Sequence, residues 1–184
     1  MNDGPASCDA GPYTKEKKMK LYTKQKVFSW KDKFTVKDEY GQDKYYVEGE
    51  FFSFGRKLHV YDMEQQEVAY IEQQVMHLMP HYNVHIGGQF VAEIVQKFAW
   101  FHPTYLINGP EWTVQGNFWE HEYTVTNQGG SIVVAISMEL MSWGDSYELD
   151  IADPADENVA LAVVLTIDCV TESNSGASVT VSSN

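Results

Sequence analysis

The feature that most constrains this chain lies near its C-terminus, where residues 154–170 read Pro-Ala-Asp-Glu-Asn-Val-Ala-Leu-Ala-Val-Val-Leu-Thr-Ile-Asp-Cys-Val. Asp153 is a good helix N-cap, Pro154 suits the first turn, and Asp156 and Glu157 meet the positive end of the helix dipole. From Val159 to Val170 only Thr166 and Asp168 are polar. A helix apolar on nearly every face must be enclosed on every side, by lipid or by protein. The run spans roughly 18 Å of helix, against a hydrocarbon slab of about 30 Å. Its approach is acidic, through Asp145, Glu148, Asp150 and Asp153. The enclosure is therefore expected to be the rest of the chain, with no transmembrane insertion.

The rest of the chain reads as strands. Apolar and polar residues alternate at Phe34/Val36, Leu58/Val60, Tyr82/Val84/Ile86, Tyr123/Val125 and Tyr147/Leu149/Ile151, as they do where one face of a strand is buried. Turn chemistry separates the runs: Glu39-Tyr40-Gly41-Gln42, Asp62 to Gln66, Gly87-Gly88, Asn108-Gly109-Pro110 and Asn127-Gln128-Gly129-Gly130. About twelve strands precede Asp153 on this count. They look duplicated. Val47-Glu48-Gly49 recurs as Val114-Gln115-Gly116, and Phe28-Ser29-Trp30 resembles Phe98-Ala99-Trp100. The pair of runs Leu58-His59-Val60 and Glu67 to Ile71 recurs as Tyr123-Thr124-Val125 and Ile132 to Ile136.

A barrel of eight strands is filled by its own side chains and one of sixteen or more holds water; about twelve leave room for an object roughly 10 Å wide, the girth of a helix. The predicted fold is a mainly β (α+β) closed antiparallel barrel of about twelve strands around a central hydrophobic C-terminal α-helix. Residues 1–18 read as a disordered leader, 19–172 as the barrel domain and 173–184 as a loose tail. With no apolar signal segment near the start and Cys8 and Cys169 poorly placed to pair, the chain reads as cytoplasmic and reduced.

Ser142-Trp143-Gly144-Asp145-Ser146-Tyr147-Glu148-Leu149-Asp150-Ile151 with the apolar helix behind it, the opening Leu21-Tyr22-Thr23-Lys24-Gln25-Lys26 and the strand Tyr46-Val47-Glu48-Gly49 resemble the LURP-one-related family over about residues 19–172. The resemblance implies a tubby-like barrel, shared with tubby proteins, which bind phosphoinositides, and with phospholipid scramblases. Fold kinship does not carry function across by itself.

The net charge of −13 argues against nucleic acid as a partner, since phosphates are repelled. Nine of the 13 basic residues nevertheless fall between Lys15 and Lys37. Within that stretch Lys24, Lys26, Phe28, Trp30, Lys31 and Lys33 form the candidate lipid-binding edge: lysines attract anionic head groups and the aromatics sit at the interface. The expected partner is an anionic phospholipid surface. Competing readings are an enzyme using carboxylates at a barrel mouth, or a protein-interaction module using the acidic shell.

No catalytic residue, cofactor or metal is predicted. His77, His81 and His85 would share a face only on a helix, which Pro80 and the strand alternation oppose; on a strand His81 and His85 lie roughly 13 Å apart. His121 stands between Glu120 and Glu122, whose side chains alternate to the opposite face of a strand. Trp143, Gly144, Asp153, Pro154 and Val164 are assigned structural roles, with Trp143-Gly144-Asp145 a loop before the last strand. Asp168 is expected near the helix end, meeting solvent or a donor from a strand.

Overall fold

A computed structural model describes residues 18–24, 33–50, 53–97, 104–141 and 144–177. Twelve strands come first: β1 (Met19–Lys24), β2 (Phe34–Asp38), β3 (Asp43–Gly49), β4 (Lys57–Asp62), β5 (Glu67–Gln73), β6 (His81–Ile86), β7 (Gln89–Lys97), β8 (Thr104–Asn108), β9 (Trp112–Asn117), β10 (Glu122–Thr126), β11 (Ile132–Met141) and β12 (Gly144–Ile151). One long helix, α1 (Glu157–Ala177), follows. Each strand pairs antiparallel with its chain neighbours and β1 closes on β12, so the sheet is a closed barrel. Closure removes the exposed edges that a sheet of this size would otherwise offer for aggregation.

The alternation seen in the sequence is the inward face of this barrel. Val36, Val47, Val60, Ile71, Val84, Ile94, Ile107, Val125, Val134 and Leu149 are each at most 1% exposed. On the helix, every residue from Ala160 to Val170 is buried, Val164 completely. Strand and helix side chains thus fill the lumen together.

Helix entry follows the predicted logic with one shift. Asp153 is extended (φ −121, ψ 122) and its carboxylate accepts from the Ala155 N–H at 2.8 Å. Pro154–Asp156 form a single 3-10 turn, and the α-helix proper starts at Glu157, tied to β3 by Lys44 at 2.5 Å and by Tyr45 Oη donating to Asn158 at 3.0 Å. The helix also outruns its expected end. Its backbone continues to Ala177, where composition alone suggested a loose tail from Ser173, because adding a turn to an established helix is far easier than starting one. Gly144 and Asp145, expected in a loop, belong to β12 and pair with Met141 and Leu140. That pairing leaves only residues 142–143 as the link, and Trp143 lies outside the described residues.

The duplication is visible in the register. Val47 faces Val60 and Gly49 faces Leu58 in β3–β4; Val114 faces Val125 and Gly116 faces Tyr123 in β9–β10. Leu58 then faces Ile71, as Tyr123 faces Ile136. The two halves of the barrel repeat one pairing scheme six strands apart. Gly116 is required by it: at φ +138 a Cβ there would stand 2.5 Å from the Tyr123 Cα.

All five turn signals fall at one end of the barrel, because alternate connections of a meander share an end. Asp38 and Asp62 build this end alike. The Asp38 carboxylate accepts from the N–H groups of Tyr40 and Gln42, and that of Asp62 from Glu64 and Gln66. Asn127 closes a third such turn through the Ser131 N–H. The helix enters from this hairpin end. The opposite end carries the connections without turn signals, among them residues 50–56, 74–80 and 118–121, and receives the C-terminal half of the helix.

Candidate binding surface at the link end

At the link end, apolar side chains face water. Phe54 is 84%, Met76 90% and Leu78 101% exposed, with Val75 partly exposed beside them. They stand on two connections that touch, β3–β4 and β5–β6. The Gln73 N–H donates to the Arg56 carbonyl at 2.7 Å, and the Gln73 side-chain carbonyl accepts from the Arg56 N–H at 3.1 Å. Gly55, at φ +89, lies so close that a Cβ would come within 2.6 Å of the Val75 Cγ1. Arg56 also donates to the Cys169 carbonyl at 2.8 Å, tying these connections to the helix. Clustered apolar tips of this kind are uncommon on a soluble surface without a partner. They went unnoticed in the sequence because Val75-Met76-His77-Leu78 has neither strand nor helix periodicity.

The predicted lysine edge is partly in view. Lys24 ends β1 at this end of the barrel, opposite Ser146. Lys26, Phe28, Trp30 and Lys31 lie outside the described residues. Lys33 is exposed, 3.0 Å from a Glu48 oxygen and 5.6 Å from the centre of the Tyr46 ring. Along the wall four other lysines are also matched with acids: Lys18 with Asp150, Lys20 with Glu148, Lys37 with Asp43, and Lys57 with Glu50. An open cleft of about 500 Å³ at the hairpin end is lined by Lys18, Lys20 and Lys44 but also by Asp38, Asp43 and Asp62. Opposite charges offset one another there, so it is no anion cradle.

Inside the link end sits a polar cluster that sequence reasoning divided wrongly. Asp168 is 4% exposed and meets the strand donor expected for it, the hydroxyl of Tyr147 on β12. It does not meet solvent, because the helix runs on past it. His121 joins it, with Nδ1 3.5 Å from the second carboxylate oxygen and its ring stacked on that of Tyr147 at 4.6 Å and 3°. Strand alternation did not apply to His121: it has φ +52 and lies between a 3-10 turn (Phe118–Glu120) and β10, so it turns inward. The available signal was Asp168 itself, since a carboxylate in an apolar helix needs buried donors. Tyr123 and Tyr147 surround it with phenols pushed far above their ordinary range, by burial first and by the Asp168 charge second. The cluster holds a buried anion and ties α1 to β12 and the β9–β10 connection. Cys169, the one cysteine among the described residues, is buried beside it.

The histidine trio separates. His77 is on the β5–β6 connection, with its ring stacked 4.0 Å from that of His81, while His85 turns to Glu72 at 3.6 Å. Among the described residues no group of three His, Cys, Asp or Glu side chains could hold a metal ion. Nor, among those residues, is any helix long and apolar enough to cross a membrane.

Three comparisons bear on this architecture. The profile of the LURP-one-related family matches residues 19–168. The uncharacterized protein YxjI of Bacillus subtilis (strain 168) is 37% identical over 152 residues, covering 83% of this chain and 93% of its own length. The X-ray structure of a protein from Arabidopsis thaliana superposes with a TM-score of 0.60 at 14% identity, over 84% of this chain and 91% of that one; at that identity the likeness speaks to fold alone. With the family profile spanning the whole barrel and most of the helix, the chain belongs to the LURP-one-related family.

Proposed function

We propose that this protein is a non-catalytic binding protein that docks on anionic phospholipid surfaces with the link end of its barrel. The observation that carries the reading is the meeting of two features at one end. Phe54, Met76 and Leu78 project into water there, and the lysine-rich segment between Lys24 and Lys33 leaves and rejoins the barrel there. Burying one such apolar side chain gives at most about 1.5–3 kcal/mol. Each lysine near an anionic surface adds about 1 kcal/mol. Neither term alone holds a 21.0 kDa protein firmly; together they give a reversible, salt-sensitive association. The acidic hairpins are a strand length away, roughly 20 Å, beyond the Debye length of about 8 Å at physiological salt. They therefore weigh little against docking by the other end. A lumen filled by α1 also favours a role for the surface over one for an interior substrate site.

Co-sedimentation with vesicles of phosphatidylcholine alone, or with added phosphatidylserine, at low and high salt tests this. Binding is expected only to the anionic vesicles and should fall as salt rises. The paired substitution Met76→Asp and Leu78→Asp, at exposed positions, should abolish it, and Lys24→Glu with Lys26→Glu should weaken it. Absence of binding, or binding indifferent to both pairs of substitutions, removes the proposal.

A further inference from the structure

We propose that the outer wall of strands β3–β7 is a docking surface for an arginine-rich segment of a partner protein, which lies across a row of rings edged by carboxylates. The row begins at Tyr46 on β3 and Tyr61 on β4, with ring centres 6.5 Å apart, and passes to His59 at 6.1 Å. From His59 it continues to Tyr70 on β5 at 4.9 Å, to His85 on β6 at 5.8 Å and to Phe90 on β7 at another 5.8 Å. Each step lies within the roughly 4.5–7 Å at which aromatic rings contact one another. All six belong to the outward set of their strands and are at least partly exposed, Phe90 by 57%.

The scaffold does not require this row, because the other half of the barrel does without it. The duplication that aligns Val47 with Val114 and Val60 with Val125 sets the pair Tyr46–Tyr61 against Thr113–Thr126, and the pair His59–Tyr70 against Thr124–Ala135. The strand pairings match; of the two halves, only this one carries rings there. The acids follow the rings. Glu48 and Glu67 stand where the other half has Gln115 and Ile132.

Rings offer faces to stack on, and carboxylates select cations. Glu50 and Glu67 hold His59 from both sides at 3.0 and 2.5 Å, Glu72 lies 3.6 Å from His85, and Glu48 edges the β3 end. Against these four carboxylates the wall sets two lysines, Lys33 and Lys57, so it stays negative even with His59 charged. Lys33 already shows the mode of binding: its ammonium is 5.6 Å from the Tyr46 ring centre and 3.0 Å from Glu48, inside the roughly 6 Å over which a ring attracts a cation. Arginine suits the rest of the row better, since a planar guanidinium stacks on a ring and takes a carboxylate with two N–H groups at once. Four strand spacings make the row about 19 Å long, or about six residues of extended chain, whose alternate side chains, roughly 6.7 Å apart, follow the ring spacing. The inference stands apart from membrane docking, which uses the link end.

Fluorescence anisotropy of a labelled octapeptide of alternating arginine and serine, with the full chain added, tests the surface. Saturable binding is expected, falling as salt rises, with none to the glutamate counterpart of the peptide. Tyr70→Leu and Phe90→Leu keep apolar bulk and remove a ring; each should weaken binding about threefold or more. Glu67→Gln with Glu72→Gln should weaken it about fivefold or more. Glu39→Gln with Glu64→Gln removes as many charges at the hairpin end and should leave it within about twofold. Thermal melts check that each variant folds, and the exposed Phe90→Leu should melt like the parent. The proposal fails if no saturable binding occurs, if folded Tyr70→Leu and Phe90→Leu bind as the parent does, or if the two Glu→Gln pairs weaken binding equally, as attraction by net charge alone would. A dimer dispersed by Phe90→Leu in sedimentation velocity, or Tyr70-dependent binding of cellohexaose in place of the peptide, would give the row to a second copy or to a sugar and equally overturn it.

Discussion

Removing one oxygen atom inside the link end should reveal what holds the central helix in register. Tyr147→Phe deletes the hydroxyl that donates to Asp168 and leaves the ring, with its stack on His121, in place. Hydrogen bonds to charged groups contribute about 1.5–3 kcal/mol, the more so when the orphaned partner cannot reach water. Asp168 is 4% exposed, and the His121 Nδ1 stands 3.5 Å from its other oxygen. We therefore expect Tyr147→Phe to cost about 2–3 kcal/mol. For a chain of this size that is a fall in melting temperature of roughly 4–12 °C. Double-mutant cycles make the test specific. In an Asp168→Leu background there is no carboxylate to strand, so Tyr147→Phe should cost within about 0.5 kcal/mol of nothing. Urea unfolding of the four proteins gives the coupling energy, expected at about 1.5 kcal/mol or more. Equal costs in both backgrounds would mean that the hydroxyl contributes independently of the Asp168 carboxylate, and the reasoning would be refuted.

Two further outcomes follow from the same interior. Val164 is fully buried one turn before Asp168 and on the same helix face. In Val164→Asp, lost apolar burial of about 1.5–3 kcal/mol adds to about 4 kcal/mol for holding the new carboxyl protonated at pH 7. That sum rivals the whole stability of a typical domain, about 5–15 kcal/mol, so the variant should be unfolded or aggregated by circular dichroism; a cooperative melt near the parental one would falsify the placement of α1. Alkaline titration probes the tyrosines. Burial raises the phenols of Tyr22, Tyr45, Tyr105, Tyr123 and Tyr147, with a hydrogen bond to Glu148 adding for Tyr22 and the nearby Glu157 charge for Tyr45. A phenol raised by folding holds its proton more tightly when folded, so its stabilisation is complete below about pH 10 and lost as pH rises beyond that. Tyrosinate absorbance from these residues should appear together with loss of the far-ultraviolet signal. Smooth ionisation of every tyrosine near pH 10 with the fold intact would contradict the burial.

By itself the sequence determined the barrel and its content, because both rest on local rules. Alternation marked inward faces, turn residues such as Gly41, Asp62 and Asn127 separated the strands, and an all-round apolar helix allowed only an interior position. The repeated Val-x-Gly and its partner strands, read only as a duplication, reappear in the structure as one pairing scheme in both halves. What only the tertiary structure decided lies where local rules end. His121 meets Asp168 47 residues on, and Phe54 stands beside the Val75–Leu78 connection, because barrel closure brings distant links to one rim. The row of rings from Tyr46 to Phe90 forms only once five strands pair in register. Links without periodicity carry no local signal, so their neighbours are set by which strands pair, and the candidate membrane-docking surface of this protein sits on such links.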